Sequence, residues 1–167
     1  MSYARDDLLA DGLAAGIIGY ATVIVVMGSI DLLSGRSLFY TPALFGATIF
    51  YGLDDPAALV VAPGPVFAYN MLHLVAFLLI GMVTAWAVAL AERYPTVQYL
   101  VLVMLVFVAF HVYAGLLLFA QPLLGTAGWW KLGLGSLAAA VTMGGFLLRR
   151  HGLLRREMRE LPMGDAR

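Results

Sequence analysis

Charge spacing constrains this chain more than any other feature. No Asp, Glu, Lys or Arg lies between Asp11 and Asp31, between Asp55 and Glu92, between Arg93 and Lys131, or between Lys131 and Arg149. A bilayer's hydrocarbon core is ~30 Å thick and takes about 20 apolar residues to cross as a helix. Four stretches meet that length: Leu9–Leu33, Val66–Leu90, Val97–Ala120 and Trp129–Leu148. Composition agrees: of 167 residues, 62% are hydrophobic and 12% charged, against roughly 45–50% and 25% in soluble domains. The expected fold is therefore all-α, a four-transmembrane-helix bundle over residues 1–148 followed by a basic tail over 149–167. A soluble domain, a disordered chain and a nucleic-acid binder are excluded on the same grounds. The absence of cysteine excludes disulfides, thiolate metal sites, iron–sulfur clusters and cysteine nucleophiles.

The first stretch reads as a retained anchor. Its flank, Met1–Asp7, holds one Arg against two Asp, and no small-x-small cleavage site follows the apolar run. Four spans put both termini on one side. That side carries eight arginines (Arg5, Arg93, Arg149, Arg150, Arg155, Arg156, Arg159 and Arg167), and the other carries Arg36 and Lys131. The positive-inside rule then places both termini in the cytoplasm. Nine Arg to one Lys hints at a GC-rich bacterial genome, so the expected location is a bacterial cytoplasmic (inner) membrane.

Spans two and three are joined by a tight turn, Ala91–Thr96, and spans three and four by Gln121–Gly128. The connection Ser34–Pro65 is longer and too apolar for a floppy loop. Within it, Thr41–Pro42 reads as an N-cap followed by a first-turn proline, and Gly52 as a helix stop. This predicts a short amphipathic helix, Pro42–Tyr51, in the outer interface or dipping toward the bundle. Pro63-Gly64-Pro65 is expected to break the chain before span two.

Membrane helices associate through close backbone approach and hydrogen bonds, because lipid tails are as apolar as leucine. Gly12, Gly16 and Gly19 on span one, and Ser136, Ala140 and Gly144 on span four, form small-residue faces for such packing. They serve either the bundle itself or another protein's helix. Spans two and three read instead as surfaces of large Leu, Val, Phe and Met side chains.

Ionisable groups inside a membrane are functional candidates. Here they are His73 in span two and His111 in span three, with Asp31 near the outer end of span one. At 1.5 Å per residue both histidines lie roughly 10–14 Å below the outer boundary, on adjacent antiparallel helices. Asn70 and Tyr69 lie near the first, Tyr113 near the second. One chemistry for the pair is a bis-histidine haem b, with Gly115 leaving room for the porphyrin. Another is a single imidazole on the magnesium of a chlorophyll-type pigment. The plain alternative is a hydrogen-bonded pair, or two separately satisfied histidines, sharing a polar cluster with Asn70. A copper or zinc site lacks a third ligand, so no metal site is expected.

Several activities lack their residues. Spans two to four hold no carboxylate for proton- or cation-coupled transport, and no pore ring or carbonyl filter is visible. No inverted repeat supports a transporter architecture. The five serines show no Ser–His–Asp or Gly-x-Ser-x-Gly spacing, and HExxH is absent. What remains points to contact rather than chemistry. Arg149, Arg150, Arg155, Arg156 and Arg159, with Leu153, Leu154 and Met158 between them, suit anionic lipid at the cytoplasmic face or an acidic partner surface. Phe39, Tyr40, Phe45, Phe50 and Tyr51 form a compact outer aromatic surface of the kind enriched at interfaces.

The segments Asp31-Leu-Leu-Ser-Gly-Arg-Ser-Leu-Phe-Tyr-Thr-Pro-Ala-Leu-Phe-Gly and Gly128-Trp-Trp…Met143-Gly-Gly-Phe-Leu-Leu-Arg-Arg-His151 resemble those of a group of uncharacterised four-helix bacterial integral membrane proteins. The resemblance runs from span one to the arginine pair. It implies four spans and an ordered outer loop, and it carries no activity or catalytic residue. The expected role is a non-catalytic accessory subunit of a larger membrane complex, respiratory or photosynthetic, with other integral membrane subunits as partners. The alternative is a small b-type haem electron-transfer or quinone protein, with His73 and His111 as the axial ligands in the haem case.

Overall fold

The computed structural model describes residues 5–94 and 129–150. Among these, all regular structure is helical: α1 (Arg5–Leu33), α2 (Tyr40–Tyr51), a 3-10 turn (Pro56–Ala58), α3 (Pro63–Arg93) and α4 (Trp129–Arg150). Three of them, α1, α3 and α4, are long and apolar enough to cross a membrane. The expected span Val97–Ala120 lies outside the described residues, and so do His111 and the tail beyond Arg150.

Helix α1 is the centre of the arrangement, packed by α3 on one side and α4 on the other. A Cβ on Gly12 would meet Met82, and one on Gly16 would meet Leu78. One turn further, Tyr20 reaches Asn70, so α1 and α3 are antiparallel. Asp11 meets Arg150 and Thr22 meets Thr142, which makes α1 and α4 antiparallel too. It follows that α3 and α4 run in the same direction. The three helices share a core of Ala15, Ala85, Met143 and Leu147, flanked by Phe77 and Phe146. Outside it, large side chains such as Ile17, Val25, Phe67, Val75, Val83 and Val141 are exposed. That much apolar surface is a liability in water and ordinary against hydrocarbon. Hydroxyls on these helices turn back onto their own backbone, Thr22 onto the Ile18 carbonyl at 2.8 Å and Thr84 onto that of Ile80 at 2.7 Å. In an apolar medium such bonds keep the hydroxyls satisfied.

The outer connection departs from the sequence reading in three ways. First, α2 begins at Tyr40 and encloses Thr41, so the threonine does not cap it. The cap comes from α1: Asp31 Oδ2 accepts the Thr41 N–H at 2.9 Å. A carboxylate at a helix N-terminus satisfies a free donor and opposes the positive end of the helix dipole, which a threonine hydroxyl does less well. Second, α2 is not amphipathic. Ala43, Leu44, Phe45, Gly46 and Ala47 are buried in succession, more than one full turn, so no face of this part is left for solvent. A helix apolar all round belongs inside protein. Gly46 permits it, since a Cβ there would collide with the backbone carbonyl of Pro65. Third, Pro63-Gly64-Pro65 opens α3 instead of breaking the chain ahead of it. A proline in the first turn loses no intrahelical bond and has its φ already set. The Gly52 stop is present as expected, at a φ of 67° in the left-handed region.

Candidate functional site

The helical period of α3 places Tyr69, Asn70, His73 and Phe77 along one side. Opposite them, Tyr20 sits one turn after Gly16, where α1 runs so close to α3 that a phenol bridges the gap. Its hydroxyl donates to Asn70 Oδ1 at 3.1 Å. The Asn70 amide donates to the Val66 carbonyl at 2.8 Å. Buried interhelical bonds of this kind contribute about 0.6 kcal/mol on average. They also fix which way the amide faces.

Half-buried His73 sits in a box of rings. Its centroid lies 4.9 Å from Phe77, 5.0 Å from Tyr69 and 5.9 Å from Tyr20. Phe45 of α2 extends the series by stacking on Tyr69 at 5.3 Å. Beside these rings is a cavity of about 280 Å³, walled by Val23, Met27 and Leu38 and bordered by the polar groups of Thr41, Asn70 and His73. His73 therefore shares a polar cluster with Asn70. Its expected counterpart His111, and with it the pairing, lies outside the described residues. Among the described residues, three rings crowd the imidazole of His73. Among the described residues no three His, Asp or Glu side chains converge as a metal site would require.

The remaining candidate residues divide. Gly12, Gly16 and Gly19 lie buried at helix crossings, the first two against α3 backbone and Gly19 against Phe77 and Met143. Ser136 and Ala140 are exposed and Gly144 is half-buried, with open space where a Gly144 Cβ would stand. The face of α4 that packs on α1 is one residue back, at Gly135, Ala139, Met143 and Leu147. Ser136, Ala140 and Gly144 therefore do not form the α4 face that packs on α1, because helix rotation there is set by Met143 and Leu147 filling the core. Phe45 is corrected likewise: at 2% exposure it is core and offers no surface to a partner. Phe39, Phe50 and Tyr51 are exposed, and half-buried Tyr40 carries the Arg36 guanidinium 4.4 Å above its ring. Arg149 is exposed. Arg150 instead bonds Asp11 through Nε at 2.9 Å, while Arg155, Arg156 and Arg159 lie outside the described residues.

Four residues of consequence escaped the sequence reading. Tyr20 follows Gly16 by one turn, which is a legible signal. Gly81-x-x-x-Ala85 is a small-residue pair inside a span read as uniformly large, and both residues are buried. Asp11 looked like the edge of an apolar run and is 1% exposed.

Among the described residues, fold and site together define an all-helical arrangement of the kind that crosses membranes, with a polar cluster held between its helices. No protein-family model matches the chain, and searches of curated proteins and of solved structures give no match.

Proposed function

We propose that this chain is a non-catalytic accessory subunit of a larger membrane-embedded complex, respiratory or photosynthetic, in a bacterial inner membrane. One observation carries the reading. Helix α2 is fixed at its N-terminus by Asp31, at its middle by the Gly46–Pro65 contact and at its end by Gly52, yet it leaves Phe39, Phe50 and Tyr51 exposed by 52%, 49% and 62%. An aromatic surface on a rigid support loses little entropy when covered, and aromatic residues are enriched at interfaces. Other integral membrane subunits are the partners of this surface, and anionic lipid is the partner of the arginines that follow α4.

The arrangement is a four-span one. The common direction of α3 and α4 supports a crossing between them, and the uncharged stretch Val97–Ala120 is the proposed one. Both termini then face the cytoplasm. The chain has no cysteine, so single-cysteine labelling tests this directly. Ser37→Cys should react with an impermeant maleimide in intact cells, and Ser2→Cys only after permeabilisation. The reverse pattern defeats the orientation.

Blue-native separation of the source membrane tests the subunit role. The chain should co-migrate with an energy-transducing complex, and Phe39→Ala, Phe50→Ala and Tyr51→Ala together should release it. Replacing Arg149, Arg155, Arg156 and Arg159 with Gln, and leaving Arg150 on Asp11, should weaken the association on its own. A chain that runs alone or only with itself, and whose deletion leaves every such complex intact, does not have this role.

A further inference from the structure

We propose that the cavity between α1, α2 and α3 binds a neutral, membrane-soluble carbonyl compound, with a quinone ring as the chemical type. The proposal stands apart from the subunit role, since it rests on the cavity alone. Its volume of about 280 Å³ holds on the order of ten non-hydrogen atoms, taking ~30 Å³ as the liquid share of one water. That is a head of one or two fused rings, with any tail left outside. Ile24 and Phe39 both line the cavity and are 41% and 52% exposed, so it opens to the surface at the side of a spanning helix. A ligand there arrives through lipid and is itself lipid-soluble.

The polar groups define the head. Asn70 spends its carbonyl on Tyr20 and one amide hydrogen on the Val66 carbonyl, which leaves its second N–H. The imidazole of His73 has ring neighbours on its faces and no hydrogen-bond partner among the described residues. The Thr41 hydroxyl completes the border. The free Asn70 N–H is a donor, and a neutral imidazole and a hydroxyl can each donate, so a ligand that presents acceptors can meet all three. No Asp, Glu, Lys or Arg lines the cavity. A phosphate, carboxylate or ammonium head would enter an apolar site with no counter-charge, at a prohibitive desolvation cost. A neutral ring bearing carbonyl oxygens meets all of these conditions. Donors facing an apolar recess are expensive inside a membrane and mark function there.

The test is equilibrium binding of menadione to the full chain in lipid nanodiscs, corrected by empty nanodiscs. With no cysteine in the chain, thiol addition cannot mimic binding. Menadione should bind saturably at one site per chain, and 2-methylnaphthalene, the same skeleton without carbonyls, at least tenfold more weakly. His73→Phe keeps the ring contacts and removes the donor, and it should weaken menadione at least tenfold. Ile24→Trp adds bulk at the lipid-facing mouth without touching the core, and it should also block binding if His73→Phe fails to fold. Equal binding of the hydrocarbon would show a greasy recess with no head recognition and overturn the proposal. So would partitioning no greater than into empty nanodiscs, with water alone meeting the donors, or menadione binding that is unchanged in Ile24→Trp.

Discussion

Replacing Gly81 with leucine is expected to force α1 and α3 apart and to cost about 3 kcal/mol or more, the upper end of overpacking penalties. A Cβ at Gly81 would lie 2.5 Å from Gly16 N and 2.7 Å from Gly16 Cα, and it would strike the Gly12 carbonyl oxygen. These are backbone atoms, so no rotamer change relieves the clash. The crossing is reciprocal: a Cβ at Gly16 would stand 2.6 Å from the Phe77 carbonyl oxygen, and one at Gly12 2.8 Å from Met82 Cα. Three glycines thus let two helices touch main chain to main chain, which is how spanning helices gain contact when lipid competes for every apolar side chain. Separation would also break the Tyr20–Asn70 bond and open the polar cluster. Thermal unfolding in detergent, followed by circular dichroism, measures the loss. Gly19→Ala should cost less, because its obstacles are the flexible Met143 side chain and the Phe77 ring. Gly144→Leu, with open space at its Cβ, should change stability by no more than about 0.5 kcal/mol. Equal losses at Gly81 and Gly144 would remove the crossing as the cause.

The lengths of the helices were legible from charge alone. A charged group resists desolvation, so gaps between charges measure how much chain can sit in hydrocarbon, and α1, α3 and α4 contain the first, second and fourth expected spans. Their rotations were much less legible. In water, an apolar stripe marks the buried face. In lipid, both the buried and the outward face of a helix are apolar, and only small residues or polar atoms tell them apart. On α4 small size points to Ser136, Ala140 and Gly144, whereas the buried stripe is one residue back, at Gly135, Ala139 and Met143. A side chain's own volume decided it, since Met143 and Leu147 fill the core between α1 and α3. Phe45 illustrates the same ambiguity: nothing in an apolar helix distinguishes a ring stacked on Tyr69 from one shown to a partner. In the candidate site, His73 and Asn70 were visible because polar residues are rare in a span. Tyr20 lies one turn after Gly16, and only the closeness of the Gly16 crossing turns that spacing into a contact with α3. The Asp31 cap was hidden for a related reason, as the acceptor and the helix it caps are ten residues apart.

The pair formed by Asp11 and Arg150 should prove strongly non-additive on mutation. Asp11 is 1% exposed and the Arg150 side chain 59%, with Nε 2.9 Å from Oδ1. Breaking a fully buried ion pair costs about 3–5 kcal/mol, whereas an exposed pair is worth about 0.2–1 kcal/mol because water screens it. Here one partner is buried and the other is not, so Arg150→Gln should fall between these limits, at about 2 kcal/mol. Part of that loss is the guanidinium's charge withdrawn from a carboxylate in a low-dielectric site. Asp11→Asn removes the charge that needs neutralising while keeping the side chain's shape, so it should cost less. Adding Asp11→Asn to Arg150→Gln should then recover part of the stability that Arg150→Gln loses. Unfolding in mixed micelles for the wild type, both single variants and the double variant closes the cycle. Simple additivity would mean that the pair is a surface contact and that Asp11 is held by other groups. A coupling of about 1–2 kcal/mol, reduced at high salt because Arg150 is half exposed, would fix the start of α1 to the end of α4. It would also set the division of labour among the arginines: Arg150 belongs to the bundle, and Arg149, exposed beside it, is the first one available to anionic lipid.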